Sequence, residues 1–299
     1  MKIRDIIKQQ GESLSLEFFV PKSEVGENLL IETIRGLEAL RPTFVSVTQS
    51  AMGNSPKDSR RLVMRIKEET SLEPMPHLIC VDRSKRELRD TLDDYKAMGI
   101  ENLLALRGDP PQGITEFRPV KDGFRYAKDL VKLAASLNTF SIGVAVYPEG
   151  HIETPSIELD MIYTKEKVDA GADFAITQMF FQNHFFYDFM ERAQRAGIHI
   201  PIIPGVMPVM DIAKIKRFSQ ICGATLPGAL VERMEKAGDS PEDARKIGIE
   251  FTVRQCDDLL NNGVRYFHFF TLNQGEVVTE ILDNLDLTLG QLNRDKSAT

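Results

Sequence analysis

The chain has 299 residues, 42% of them hydrophobic and 27% charged, the balance of a globular protein, which excludes disorder and a fibrous repeat. Its 37 basic residues stand against 44 acidic ones, a net charge of −7, so a broad cationic face for nucleic acid is excluded while a local anion site is not. The three cysteines, Cys80, Cys222 and Cys256, are far apart, and without a C-x-x-C pair they exclude iron–sulfur ligation and a disulfide framework.

Residues 1–10 read as a helix ahead of the main fold. The same stretch is charged and amphipathic with no apolar h-region, and no apolar run approaches the length of a membrane span. A cytoplasmic protein is the expectation. Runs rich in β-formers then recur at residues 15–20, 43–48, 76–81, 102–107, 141–147, 173–180, 200–207 and 265–272, which makes eight predicted strands. Between them apolar residues fall at helical spacing, as in Leu62 and Ile66 or Leu88, Leu92 and Tyr95. Gly99, Gly171, Gly197 and Gly263 each separate a helical segment from the next strand, the place where a left-handed residue ends a helix. Ser55, Ser84 and Ser240 stand three residues before Asp58, Glu87 and Asp243 and mark helix starts.

Strand and helix in alternation predict a parallel sheet. Eight such units, with no G-x-G-x-x-G after any strand, predict a closed α/β structure, a (β/α)8 barrel, rather than an open doubly wound sheet. The gap over residues 211–262 is long enough for the seventh helix and a further helical excursion over 226–236, an insertion between strands seven and eight. No linker divides the chain, so residues 1–299 are expected to form one catalytic domain.

Barrel enzymes draw their chemistry from the C-terminal ends of the strands. Glu17 lies within the apolar run Leu16-Glu17-Phe18-Phe19, where lost hydration is expected to raise its pKa and make it a general acid; the alternative is pairing with an arginine such as Arg107. Arg107-Gly108-Asp109-Pro110-Pro111 closes strand four and would hold a carboxylate at the barrel mouth, or form a salt-bridged turn. Thr48, His77, Tyr147, His151 and Gln178 add neutral polar groups that suit a heterocycle. The five histidines show no H-x-H or H-E-x-x-H spacing, which disfavours a catalytic metal. No predicted strand carries a lysine, which disfavours a Schiff-base aldolase. Acid–base chemistry on an organic ring remains, with a bound cofactor for redox work.

Over residues 14–272 the chain resembles the flavin-dependent methylenetetrahydrofolate reductases, which are (β/α)8 barrels. The matching motifs include Leu16-Glu17-Phe18-Phe19, Phe44-Val45-Ser46-Val47-Thr48, Pro76-His77-Leu78, Ala105-Leu106-Arg107-Gly108-Asp109, Tyr147-Pro148-Glu149-Gly150-His151, Ile176-Thr177-Gln178 and Phe267-His268-Phe269-Phe270-Thr271-Leu272-Asn273. The resemblance implies hydride transfer through a non-covalent flavin, FAD with FMN as the alternative, to 5,10-methylenetetrahydrofolate. It makes Glu17 the acid that opens the folate's five-membered ring and places Asp109 near flavin and pterin. Thr48, Ala51, His77, Arg107, Gly108, Asp109, Tyr126, Ala127, Tyr147, His151, Asp160 and Lys167 would contact the flavin, and Glu17, Asp109 and Gln178 the folate. From the residues alone, Tyr126, Asp160 and Lys167 read as solvated helix positions.

The chain departs from the family pattern at Val20, Gln49, Met52, Val146, Glu166 and Gln274. Glu166 bears on contacts to an FAD pyrophosphate and Gln274 on the folate tail. The implied donor is NADH, NADPH or a protein, and the implied assembly a homo-oligomer or a complex subunit. Two further readings keep the barrel: a flavin-free folate enzyme handling methyl or formyl groups, and a subunit that reduces folate only with a partner protein supplying electrons.

Overall fold

A computed structural model describes residues 1–48, 56–109, 119–238 and 240–285. Gln49, Ala51, Met52, Ser55, Pro110 and Pro111 lie outside the described residues. A helix α1 (Ile3–Gln10) precedes the first strand. The chain then alternates β1 (Ser13–Phe19), α2 (Glu24–Gly36), β2 (Phe44–Thr48), α3 (Pro56–Glu69), β3 (Pro74–Ile79), α4 (Lys85–Ala97), β4 (Asn102–Leu106), α5 (Ala127–Ala135), β5 (Ser141–Val146), α6 (Ile157–Asp169), β6 (Phe174–Thr177) and α7 (Asn183–Arg195). Two short strands, β7 (Ile202–Ile203) and β8 (Gly205–Val206), lead to helices α8 (Ile212–Cys222), α9 (Gly228–Lys236) and α10 (Pro241–Asn261), then β9 (Tyr266–Phe270) and α11 (Gly275–Asp283).

These nine strands all pair in parallel, in the order β7-β6-β5-β4-β3-β2-β1-β9-β8. The expected seventh strand is thus two pieces. Pro204 lies between them, and a proline has no N–H to give to a ladder. Upstream of it Ile202 and Ile203 pair with β6, and downstream Gly205 and Val206 pair with β9. The two ends of the sheet are therefore one stretch of chain, and the sheet closes into a barrel through it. At the break the Pro204 carbonyl accepts from His268 N (3.0 Å), and Gly205 N donates to Thr177 Oγ1 (2.8 Å). A Cβ at Gly205 would sit 2.3 Å from the Thr177 carbonyl, so this crossing takes no larger residue.

The strands sort their side chains by parity. On β1, Leu14, Leu16 and Phe18 enter the large core between barrel and helices, which turns Ser13, Ser15 and Glu17 inward. The N-terminal end of the interior is apolar: Phe44, Met75, Leu104 and Phe174 cluster with Ile3 and Ile7 of α1. Helix α1 plugs this end, and its first N–H groups, which no helical carbonyl can reach, are met by strand residues. Ile3 N donates to Asn102 Oδ1 (2.8 Å) and Arg4 N to Ser141 Oγ (3.1 Å).

The helical insertion holds α8, α9 and α10, one more helix than expected, with α9 on the predicted excursion. Met179, Phe181, Met207, Val209, Ile215, Leu230 and Met234 form its separate core. Of the expected helix starts, Ser84 and Glu87 make a full capping box, and Ser240 Oγ accepts from Asp243 N (3.3 Å). Among the described residues, no helix is long and apolar enough to cross a membrane.

Candidate active site

The inward parity of neighbouring strands brings four side chains to one point. Glu17 of β1 pairs in register with Ser46 of β2, and Ser15, two residues earlier, pairs with His268 of β9. Glu17 Oε2 lies 3.2 Å from His268 Nε2 and accepts a 3.4 Å bond from Ser46 Oγ. His77 Nε2, on β3, is 3.3 Å from the same oxygen but misaligned for a hydrogen bond, and this buried nitrogen has no hydrogen-bond partner among the described residues.

The hydrogen bonds around His268 link its ring to Ser15 on one side and Glu17 on the other. Ser15 Oγ donates to the Phe267 carbonyl (3.1 Å) and lies 2.9 Å from His268 Nδ1, where it can accept from an Nδ1 hydrogen. In that tautomer the contact between Nε2 and Glu17 needs one further proton, held by the carboxyl or by a doubly protonated ring. Burial alone would push the Glu17 carboxyl up, but His77 and then His268 outweigh it and hold the group well below the usual carboxylate range. The sequence expectation of a raised pKa is corrected: the surroundings are histidines, not hydrocarbon, and they favour the ionised carboxylate. The Glu17 side chain is 17% exposed, so the pair is reachable from the mouth.

Arg107 does not pair with Glu17. Its guanidinium, 19% exposed, is held by both oxygens of Glu153 (2.5 and 2.9 Å), and its Nε donates to the Gly108 carbonyl (3.0 Å). Gly108 has φ 85°, and a Cβ there would meet Val81 at 2.6 Å. Asp109 is exposed at the end of this turn and close enough to Tyr147 and Cys222 to help raise both groups, after burial. The salt-bridged turn that the sequence left open is therefore present, with Glu153 as the partner.

Beyond β5 the loop and α6 complete this side. The Tyr147 and His151 rings meet edge to face at 4.7 Å. Asp160 is buried, and its Oδ1 accepts from His151 N (3.3 Å) and Thr154 Oγ1 (3.4 Å). Lys167 is half-buried, donates to the Ala145 carbonyl (2.6 Å) and lies 5.6 Å from the Tyr147 ring centre. Burial pulls its ammonium down to about 8 against the opposing pull of Asp160. The solvated-helix reading of Asp160 and Lys167 is corrected, because both turn toward the barrel mouth. Tyr126 does remain exposed (44%), stacked on the exposed Tyr163 with ring centres 6.3 Å apart. Ala127 opens α5 behind it, and Lys128 pairs with Glu166 (2.8 Å), so a nearby cation offsets that departure from the family pattern. Thr48 ends β2 half-buried, and Gln178, just past β6, turns its Oε1 back to Met179 N (2.9 Å).

The expected residues thus fall into two groups, Glu17 with His77, and Arg107, Asp109, Tyr147, His151, Asp160 and Lys167, with Tyr126 at the outer edge. The sequence reading missed Ser15, Ser46, Glu153 and the role of His268. Strand parity is the signal for the first two, and closure of β9 onto β1 is the signal for His268. The residues suit a flavin: the His77 nitrogen, without a hydrogen bond among the described residues, two cations lining one wall and an exposed tyrosine pair offer contacts to a ring, a phosphate and a base in turn.

The sequence profile of the family described as methylenetetrahydrofolate reductase matches residues 2–286. The chain is 36% identical to 5,10-methylenetetrahydrofolate reductase of Escherichia coli (strain K12), over 96% of this chain and 97% of that protein. It is also 35% identical to methylenetetrahydrofolate reductase (NADH) 1 of Arabidopsis thaliana, over 96% of this chain but 50% of that longer protein. Among solved structures, a Clostridium thermocellum protein that binds two copies of 5-methyl-5,6,7,8-tetrahydrofolic acid superposes with a TM-score of 0.63, covering 96% of this chain and 99% of that one. Its 13% identity makes it a likeness of fold alone.

Proposed function

Since this chain belongs to the methylenetetrahydrofolate reductase family, it is an oxidoreductase that reduces 5,10-methylenetetrahydrofolate, and we propose that Glu17 and His268 deliver the proton this reaction needs. The family uses a flavin, which supplies the hydride when bound. The observation that carries the proposal is the 3.2 Å contact between Glu17 Oε2 and His268 Nε2, which one proton can bridge. Opening the folate's five-membered ring leaves an amine nitrogen that needs a proton. Glu17 is the partly exposed member of the pair, so a basic nitrogen arriving at its carboxylate draws the proton through it from the ring behind. Ser15 keeps the imidazole in the tautomer that allows this, and Asp109 adds a negative charge that favours the cationic folate.

We further propose FAD as the flavin. The Tyr126–Tyr163 stack offers a face for an adenine, and Lys167 and Lys128 offer cations for a pyrophosphate; FMN leaves the tyrosine pair unused. A nicotinamide donor, NADH or NADPH, is proposed for the reductive half. Glu17→Gln should retain flavin and its reduction by the donor while folate reduction falls by about two to four orders of magnitude, the usual weight of a general acid. Stopped-flow measurement of the two half-reactions checks this, and full folate turnover in the variant defeats it. Chromatography of the released cofactor identifies FAD or FMN, and parallel assays with NADH, NADPH and a dye identify the donor.

A further inference from the structure

Glu153 is a carboxylate that the proposed proton transfer does not use, yet it joins two of the flavin-side groups at once. Its side chain grips both terminal nitrogens of Arg107, at 2.5 and 2.9 Å. Its backbone N–H donates to His151 Nδ1 (3.1 Å), which sets the plane of the ring packed against Tyr147. Asp160 fastens the start of the same loop through His151 N and Thr154, so Glu153 is not a freely moving surface acid. Arg107 is the less exposed partner, at 19% against 48% for Glu153, and a two-pronged guanidinium–carboxylate pair has a fixed geometry.

We propose that Glu153 is a positioning residue of the flavin site: through its bidentate grip it sets the orientation of Arg107 and offsets its charge, and thereby holds down the reduction potential of the bound flavin. The inference rests on the flavin site proposed for this chain. A reduced flavin carries more negative charge than an oxidised one, so a neighbouring cation favours the reduced form. A carboxylate on that cation weakens the preference and keeps the reduced flavin a stronger hydride donor. A carboxylate that merely braced the loop would change how much flavin binds, not the potential of what is bound.

The experiment is a double-mutant cycle on the flavin-loaded protein, with Glu153→Gln, Arg107→Gln and both together, and Glu153→Asp as the charge-retaining control. Spectroelectrochemical titration should show a positive shift of the midpoint potential in E153Q, a value near wild type in E153D, and no further shift when E153Q is added to R107Q. An unchanged potential in flavin-loaded E153Q overturns the proposal, as does an equal shift in the R107Q background. Thermal unfolding of the same four proteins without flavin gives a second arm that does not depend on loading. Losses of melting temperature that are smaller together than in sum are expected, and strictly additive losses overturn the grip itself. Wild-type protein that takes up neither FAD nor FMN defeats the functional proposal along with this one, whereas loaded wild type with additive variants defeats only this one.

Discussion

At the residue scale the proposed chemistry turns on one proton and on the serine that faces the ring holding it. Ser15 donates to Phe267 O, and in the proposed tautomer it serves His268 Nδ1 as an acceptor. Ser15→Ala removes that acceptor and leaves the ring free to take the other tautomer, in which Nε2 carries the hydrogen and Nδ1 does not. We expect folate reduction to slow by about tenfold, an effect on the order of 1.4 kcal/mol and comparable to one hydrogen bond, with reduction of the flavin by the donor unchanged. Pre-steady-state rates for both half-reactions test this; equal slowing of the two would place Ser15 in the fold rather than in the proton path. Glu17 itself was legible in the sequence, because a carboxylate at an inward strand position is conspicuous among Leu16, Phe18 and Phe19. The direction of its pKa was not legible. That is set by His77 and His268, one of them 251 residues away, and only barrel closure brings it near.

At the element scale, strand and helix order followed from periodicity, since period-2 and period-3.6 patterns are local properties. The split of the seventh strand was written at Pro204, yet whether a strand proline breaks a ladder or sits on an edge depends on neighbours that closure alone supplies. The pairing of α2 with α3 was equally hidden. Glu27 is buried, and its carboxylate accepts from Arg61 (2.7 Å) and Arg65 (3.2 Å), residues that reach it only when the two helices lie side by side. Burial raises the Glu27 pKa, and the two guanidinium groups more than reverse this, so the folded value lies below the ordinary 4.5. A carboxylate lowered on folding adds stability in full above its unfolded pKa and loses it as the pH falls through the folded value. Glu27→Gln should therefore cost about 1–2 kcal/mol at neutral pH, at the low end for charged hydrogen bonds because Arg61 is 55% exposed. Urea unfolding of wild type and variant from pH 7 downward checks it: the gap should narrow below about pH 4.5, and a gap independent of pH would show that packing, not charge, holds Glu27.

At the scale of the whole molecule the barrel divides its labour between its two ends. Glu17, Arg107 and His151 are gathered toward the C-terminal ends of the strands, while the other end is sealed by α1 with Ile3 and Ile7 in an apolar layer. The seal depends on Asn102, a fully buried side chain whose Oδ1 meets Ile3 N and whose Nδ2 donates to the Met1 carbonyl (2.9 Å) and Glu73 (3.0 Å). Asn102→Ala strands a buried N–H at the start of α1 and opens a small cavity, so it should lower unfolding stability by about 1–3 kcal/mol. Because the damage lies at the end away from Glu17 and Arg107, the potential of the bound flavin and the folate rate per loaded flavin should stay at wild-type values below the melting range. Denaturant unfolding, paired with single-turnover kinetics on the loaded variant, measures the two effects separately. A variant that lost folate reduction in step with stability would mean that the plug sets the geometry of the mouth, and that the two ends of the barrel are mechanically one.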